Sequence, residues 1–162
     1  MSEMGGKSMS IRARKAQLSD VPGILRLMVS LAEFENYGDQ FNVSASDVRD
    51  LIRSSNTVHF FVADSGEDSC VALAVLFQQP FTYDMKPWFI LKEFIVDDRY
   101  RGEGIGRILF QHIGAFAKRE QATKIKWEVL SKNNRAKKFY EGFGSEHQSD
   151  WQIYQLEIGP RE

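Results

Sequence analysis

Apolar residues along the chain switch repeatedly between the two spacings that separate strands from helices. Residues 11–16 read as a short strand, and Ser19-Asp20-Val21-Pro22 then offers a capping side chain and a proline for the first turn of a helix. Ile24, Leu27, Met28 and Leu31 recur at helical spacing, so this helix is expected to end between Glu33 and Tyr37, ahead of Gly38. A second helix is expected over residues 46–53, with Val48, Leu51 and Ile52 as its apolar face. Residues 58–63 and 71–77 are apolar and partly β-branched, and the polar, glycine-containing stretch between them reads as a hairpin connection. After another connection, which contains Phe81-Thr82-Tyr83-Asp84 and Lys86-Pro87, comes a long strand over residues 88–96. Ile105, Leu109, Ile113 and Phe116 mark an amphipathic helix to about residue 120. A strand (125–130), a helix (134–142) and a last strand or hairpin (about 147–157) complete the pattern.

An antiparallel run of strands followed by a β-α-β crossover predicts a mixed α/β (α+β) fold with helices packed on a sheet. At 162 residues the chain suits a single domain, expected over residues 10–162 behind a small, polar tail at 1–9. The 21 basic and 22 acidic side chains nearly cancel, which argues against nucleic acid as an obligatory partner. One cysteine, Cys70, makes no internal disulfide, and no apolar run approaches the roughly 20 residues that span a bilayer. The start also lacks the apolar core of a signal peptide, so a cytoplasmic protein without a membrane partner is expected.

Candidate chemistry centres on Arg101-Gly102-Glu103-Gly104-Ile105-Gly106, which follows a strand and opens a helix. Glycines permit backbone conformations closed to other residues, and the amides and dipole at a helix start favour a phosphate. Arg99, Arg101 and Arg107 can add positive charge. A Walker loop needs Lys and Ser/Thr after its last glycine, where this chain has Arg107-Ile108. A dinucleotide fingerprint needs a third glycine, where the chain has Arg107 or Leu109. A tight turn that holds no ligand also fits the loop alone.

The remaining pattern, Arg-x-x-Gly-x-Gly, is followed by Asn133-x-x-Ala136-x-x-x-Tyr140-x-x-x-Gly144. Together they resemble the acetyl-CoA-binding core of the Gcn5-related N-acetyltransferase (GNAT) superfamily. The resemblance implies a mostly antiparallel central sheet with a splayed parallel pair and helices on both faces. It implies acetyl-CoA as donor, with the pyrophosphate held by residues 101–107, namely Arg101, Gly102, Glu103, Gly104, Ile105, Gly106 and Arg107. The pantetheine arm falls to Phe94, Ile95 and Val96, whose last amide is the expected oxyanion donor, and to Asn133, with Arg135 and Lys138 on the same helix.

Strict alternation over residues 88–96 places Phe89, Leu91, Glu93 and Ile95 on one face and Trp88, Ile90, Lys92, Phe94 and Val96 on the other. Either way a charge interrupts an apolar row. Burial would raise the pKa of Glu93 toward what a general base needs, whereas a bulge or a surface cation would leave it solvated. An amine with a pKa near 10 must lose a proton before it attacks a thioester, and Glu93 is the candidate base. The departing thiolate needs a proton, and Tyr140 is the candidate donor. His59, His112 and His147 lack metal-ligand spacing and Cys70 reads as a small packed residue, so no metal site and no thiol nucleophile are expected.

Further stretches are similar to the diamine acetyltransferases, the spermidine/spermine and thialysine branch of that superfamily. They are Leu31-Ala32-x-x-Glu35, Phe81-Thr82-Tyr83-Asp84, Glu93, Tyr100 through Gly106, Phe139-Tyr140 and Trp151. This resemblance implies a homodimer and an acidic cleft in which Asp84, Glu93 and Glu35, with Trp151 nearby, hold a small cationic amine. Glu33, Glu35 and Asp39 also fit a merely solvated helix end. A protein N-terminus or lysine is the alternative acceptor, and an acyl-CoA-binding module without turnover is the alternative of another class.

Overall fold

Apolar runs pair in the order in which the chain supplies them. The computed structural model describes residues 10–159 and contains one five-stranded sheet, β1 (Arg12–Lys15), β2 (Val58–Asp64), β3 (Ala72–Pro80), β4 (Pro87–Val96) and β5 (Lys124–Lys126), ordered β1-β2-β3-β4-β5. The first four strands pair antiparallel, and β5 joins β4 in parallel through the crossover helix. The helices are α1 (Val21–Phe34), α2 (Ala45–Ser54), α3 (Ile105–Arg119) and α4 (Asn134–Glu141). This is the mixed α/β architecture expected, and no helix among the described residues is long and apolar enough to cross a membrane. The tail expected over residues 1–9 lies outside the described residues. The chain forms two compact units, one ending at Glu128 and holding the sheet with α1 to α3, the other starting at Val129 and holding α4.

The sheet is covered on both faces. On one, Val21, Ile24, Leu27 and Leu31 of α1 and Val48 of α2 bury Phe60, Val62, Leu73, Val75 and Ile95. On the other, Phe116 of α3 packs against Phe61 and Phe89 at ring separations of 4.9 and 5.4 Å.

Strict alternation fails in β4. Glu93 lies opposite Val75 and Leu91 opposite Leu76, so Lys92 is an extra residue without a partner in β3, a β-bulge. The consequence is a change of face. Phe89 packs toward α3, and Leu91, two residues on, shares that face, whereas Glu93 and Ile95 share the face of Val75 and Leu73, toward α1. Phe94, from the other set, meets Phe110 of α3 at 5.9 Å. The single row of Phe89, Leu91, Glu93 and Ile95 is therefore corrected into two half-rows on opposite faces.

Three other expectations change. The strand expected over residues 125–130 is only Lys124–Lys126, because β4 offers it a ladder only from Trp88 to Ile90. Asp20 does not cap α1 with its side chain, because the carboxylate, 1% exposed, takes the Arg14 guanidinium at 2.7 and 3.0 Å and the Gln17 amide at 2.7 Å. Residues 147–157 form no strand, and Trp151, Ile153, Tyr154 and Leu156 are each more than 70% exposed, since a strand needs a neighbour's ladder and none pairs with this segment. Elsewhere the local chemistry is regular. Ser44 and Asp47 close a capping box on α2, and Asn36 takes the left-handed conformation (φ 62°) just past α1.

Gly23 lets α1 sit close to the segment that leads into β3, since a Cβ there would fall 2.6 Å from the Cβ of Cys70. Gly23→Ala is expected to destabilise the fold by about 1–3 kcal/mol despite the better helix propensity of alanine. In a denaturation double-mutant cycle with Cys70→Gly, the two changes should couple favourably, because the second removes the clashing carbon. Simple additivity would contradict this packing.

Candidate active site

β4 hands over to the glycine loop through a short turn held by charge. Asp97 accepts from the side chain and amide of Arg99 and from Arg26 of α1, while Arg99 also reaches Asp68 at 3.2 Å. The Arg99 hydrogen bonds, with Arg26 adding, hold the Asp97 carboxyl well below the usual carboxylate range in spite of its burial. Arg99 therefore braces the β2–β3 hairpin and β4. Arg101 pairs with Asp98 at 2.7 Å and donates to the Val96 carbonyl at 3.4 Å.

Gly102 and Gly104 have φ of 84° and 76°, and a Cβ added to either would meet nothing within 4 Å. Backbone conformation, not crowding, requires glycine here, and the space above the loop is open. Gly106 differs, because it already lies within α3. The Ile108 amide donates to the Gly104 carbonyl at 3.2 Å, so the amides of Ile105 and Gly106 precede any acceptor of the helix. At the end of β4 away from the loop, β5 pairs with it only at Trp88, Phe89 and Ile90. The parallel pair is thus splayed from Leu91 onward, as the family resemblance implied.

The bulge brings Glu93 to the end of α1, where Glu35 is the half-buried C-cap residue. Desolvation first, then the charge of Glu35, push the Glu93 carboxyl up to about 7, while Lys92 pulls it down. Burial also raises Glu35, again against Lys92. Glu33 and Asp39 are exposed, so of the three acidic residues near this helix end Glu35 alone is drawn in.

Asp84 lies elsewhere. Its carboxylate accepts the Lys86 amide at 2.9 Å in the β3–β4 turn, and the stretch of β4 from Pro87 to Glu93 rises roughly 20 Å. Within one chain Glu93 is joined by Glu35, not by Asp84.

In the second unit, Asn133 caps α4, its Oδ1 accepting the Ala136 amide at 3.0 Å. Arg135 and Lys138 are exposed on that helix, and Tyr140 is buried with its ring 5.2 Å from Phe139. Trp151 is 79% exposed in the irregular segment that follows.

Of the remaining reactive side chains, His147 is exposed and the others are packed. Burial pushes the Cys70 thiol up to about 12 and holds His59 and His112 below their ordinary range, among Phe61, Phe89 and Phe116. Lys92 is the residue that sequence reasoning missed. Its signal was present, since two adjacent charges, Lys92-Glu93, interrupt an apolar strand at the point where the buried parity changes.

Residues 27–144 match the model of the Acetyltransferase (GNAT) family, which covers well over half of the chain. The chain belongs to the GNAT family. As a GNAT member it is an acetyltransferase. It is similar to the thialysine N-epsilon-acetyltransferase of Bos taurus, 27% identical over 157 residues that cover 91% of this chain and 92% of the relative. It is also 26% identical, over 88% of its length, to the spermidine/spermine N(1)-acetyltransferase-like protein 1 of Homo sapiens, of which the match covers 22%. An aminoglycoside acetyltransferase from an uncultured soil metagenomic sample, solved with sisomicin, shares the fold with a TM-score of 0.74 at 20% identity, over 91% of this chain and 97% of that one.

For this GNAT chain the raised Glu93 has a thermodynamic consequence. The folded state keeps the proton to about pH 7, whereas the unfolded chain loses it near 4.5, so folding stability falls as pH rises between those values and levels off above. Glu93→Gln removes the penalty. Its melting temperature relative to the parent should therefore climb from pH 5 to pH 8; a constant difference would mean that Glu93 is ordinarily solvated.

Proposed function

We propose that this chain moves an acetyl group from acetyl-CoA to a primary amine of a small cationic substrate, by direct transfer in a ternary complex. The observation that carries the reading is the half-buried Glu93 carboxylate, held near neutral pKa beside Glu35 on a strand that runs into the left-handed glycine loop. GNAT acetyltransferases use acetyl-CoA, and the loop fits its pyrophosphate. The backbone at Gly102 and Gly104 opens outward, free amides stand at the start of α3, and Arg101 and Arg107 flank them. Val96 lies on the part of β4 that has separated from β5, and because Asp97 donates to Val71 of β3 at 2.9 Å, the preceding amide of Val96 faces away from β3 and is available to the donor's thioester and pantetheine arm, next to Ile95. Bound there, acetyl-CoA supplies an activated thioester carbonyl.

Glu93 takes the proton that an amine must lose before it can attack, and a pKa near 7 keeps the carboxylate both ionised and basic at neutral pH. Glu35 anchors positive charge away from the reacting nitrogen. The Tyr140 phenol returns a proton to the departing sulfur. Asn133, whose oxygen caps α4, is the residue assigned to the donor arm on the family resemblance, and Arg135 and Lys138 supply charge on the same helix. The names of the thialysine and spermidine/spermine relatives support a small amine as acceptor. The reading includes a homodimer, supported by the exposed apolar side chains of Trp151, Ile153, Tyr154, Leu156 and Ile158. In a second copy's site, Asp84 and Trp151 are the residues assigned to the amine.

A thiol-release assay over polyamines, lysine analogues and peptides tests this. Free amines should outpace peptides, and kcat/KM should rise through a midpoint near pH 7, the pKa held by Glu93. Glu93→Gln and Tyr140→Phe should each lower it by about 100-fold or more. If both variants matched the parent from pH 6 to 9, these roles would be wrong.

A further inference from the structure

The register of β3 and β4 leaves Lys92 over, and its place follows from its neighbours. Leu91, opposite Leu76, faces α3, so the next side chain leaves toward α1; Glu93, opposite Val75, leaves toward α1 as well. Two successive side chains of opposite charge therefore emerge together beside the end of α1, where Glu35 sits. Lys92 is exposed and makes no ion pair with any other described residue. Its charge nevertheless acts on Glu35 as well as on Glu93. The acceptor end of the site thus holds two carboxylates and one free ammonium.

That set is a poor match for a plain diamine. Both ends of a diamine are cationic, and the end held by Glu35 would meet repulsion from Lys92. An amino acid with a side-chain amine brings two ammonium groups and one carboxylate, the complement of Glu93, Glu35 and Lys92 in turn. Its α-ammonium and α-carboxylate sit on one carbon, which suits Glu35 and Lys92 as electrostatic neighbours. Resting on the amine-acetyltransfer reading above, we propose that Lys92 binds the carboxylate of the acceptor, so that the preferred substrate is an amino acid bearing a free side-chain amine. Glu93 serves the reacting nitrogen, Glu35 the α-ammonium and Lys92 the carboxylate.

Two probes differ only by the carboxylate: thialysine and bis(2-aminoethyl) sulfide. With acetyl-CoA as donor, the parent enzyme should favour thialysine in kcat/KM by about 10- to 100-fold, the size of one charge-assisted hydrogen bond. Lys92→Met should lower the thialysine value by a similar factor and raise that for the diamine, and Lys92→Glu should make the diamine the better substrate. Calorimetry on the CoA-saturated protein should show the same crossing in Kd. A merely structural role would move both probes together, so equal changes on both, or a parent that prefers the diamine, would overturn the assignment while leaving amine acetylation standing. Absence of thiol release with every amine would instead overturn the reading on which it rests, and the assignment with it.

Discussion

A strand inside a sheet covered on both faces turns its regular side chains toward one core or the other, so a carboxylate in its middle loses water on either face. In a regular β4, Glu93 would follow Phe89 and Leu91 toward α3, into the layer where Phe61, Phe89 and Phe116 pack ring against ring. An ionised group there would find no partner and little water. The extra residue at Lys92 costs a disturbed ladder and moves Glu93 to the other face, at the margin of the α1 core. Half-burial there is enough to lift its pKa and not enough to keep it permanently protonated.

The same strand serves the donor. β5 leaves β4 after Ile90, just before the bulge, and α3 begins only after two left-handed glycines. Between them Asp97, Arg99, Arg26 and Asp68 tie the end of β4 to α1 and to the β2–β3 hairpin. The loop is consequently braced from below by ionic contacts and open above, the combination an anionic ligand requires. Acceptor chemistry and donor chemistry thus share one strand, with its bulge on the side of α1 and its splayed edge toward β5.

Much of this was legible in residue order. Helical spacing of Ile24, Leu27 and Leu31, and of Ile105, Leu109 and Ile113, located α1 and α3, because buried stripes leave a plain 3.6-residue period. The loop was legible because Gly102 and Gly104 occupy conformations that few other residues adopt. The direction of Glu93 was not, since a period of two carries no record of an inserted residue unless the break itself is recognised. Residues 147–157 read as a strand on composition, but pairing depends on a neighbour that local pattern cannot supply. The resemblance to the diamine acetyltransferases implies one cleft for Asp84 and Glu93, whereas within one chain the extended strand between them holds them apart.

The central claim is that the bulge presents Glu93 to Glu35. A carbon-13 titration of the Glu93 side-chain carboxyl, in the parent and in Glu35→Gln, tests it without reference to any substrate. The account predicts a midpoint near 7 in the parent and a lower one in the variant, because Glu35 is one of the two influences that raise it. A Glu93 that titrates in the ordinary carboxylate range, or whose midpoint is indifferent to Glu35, would contradict it.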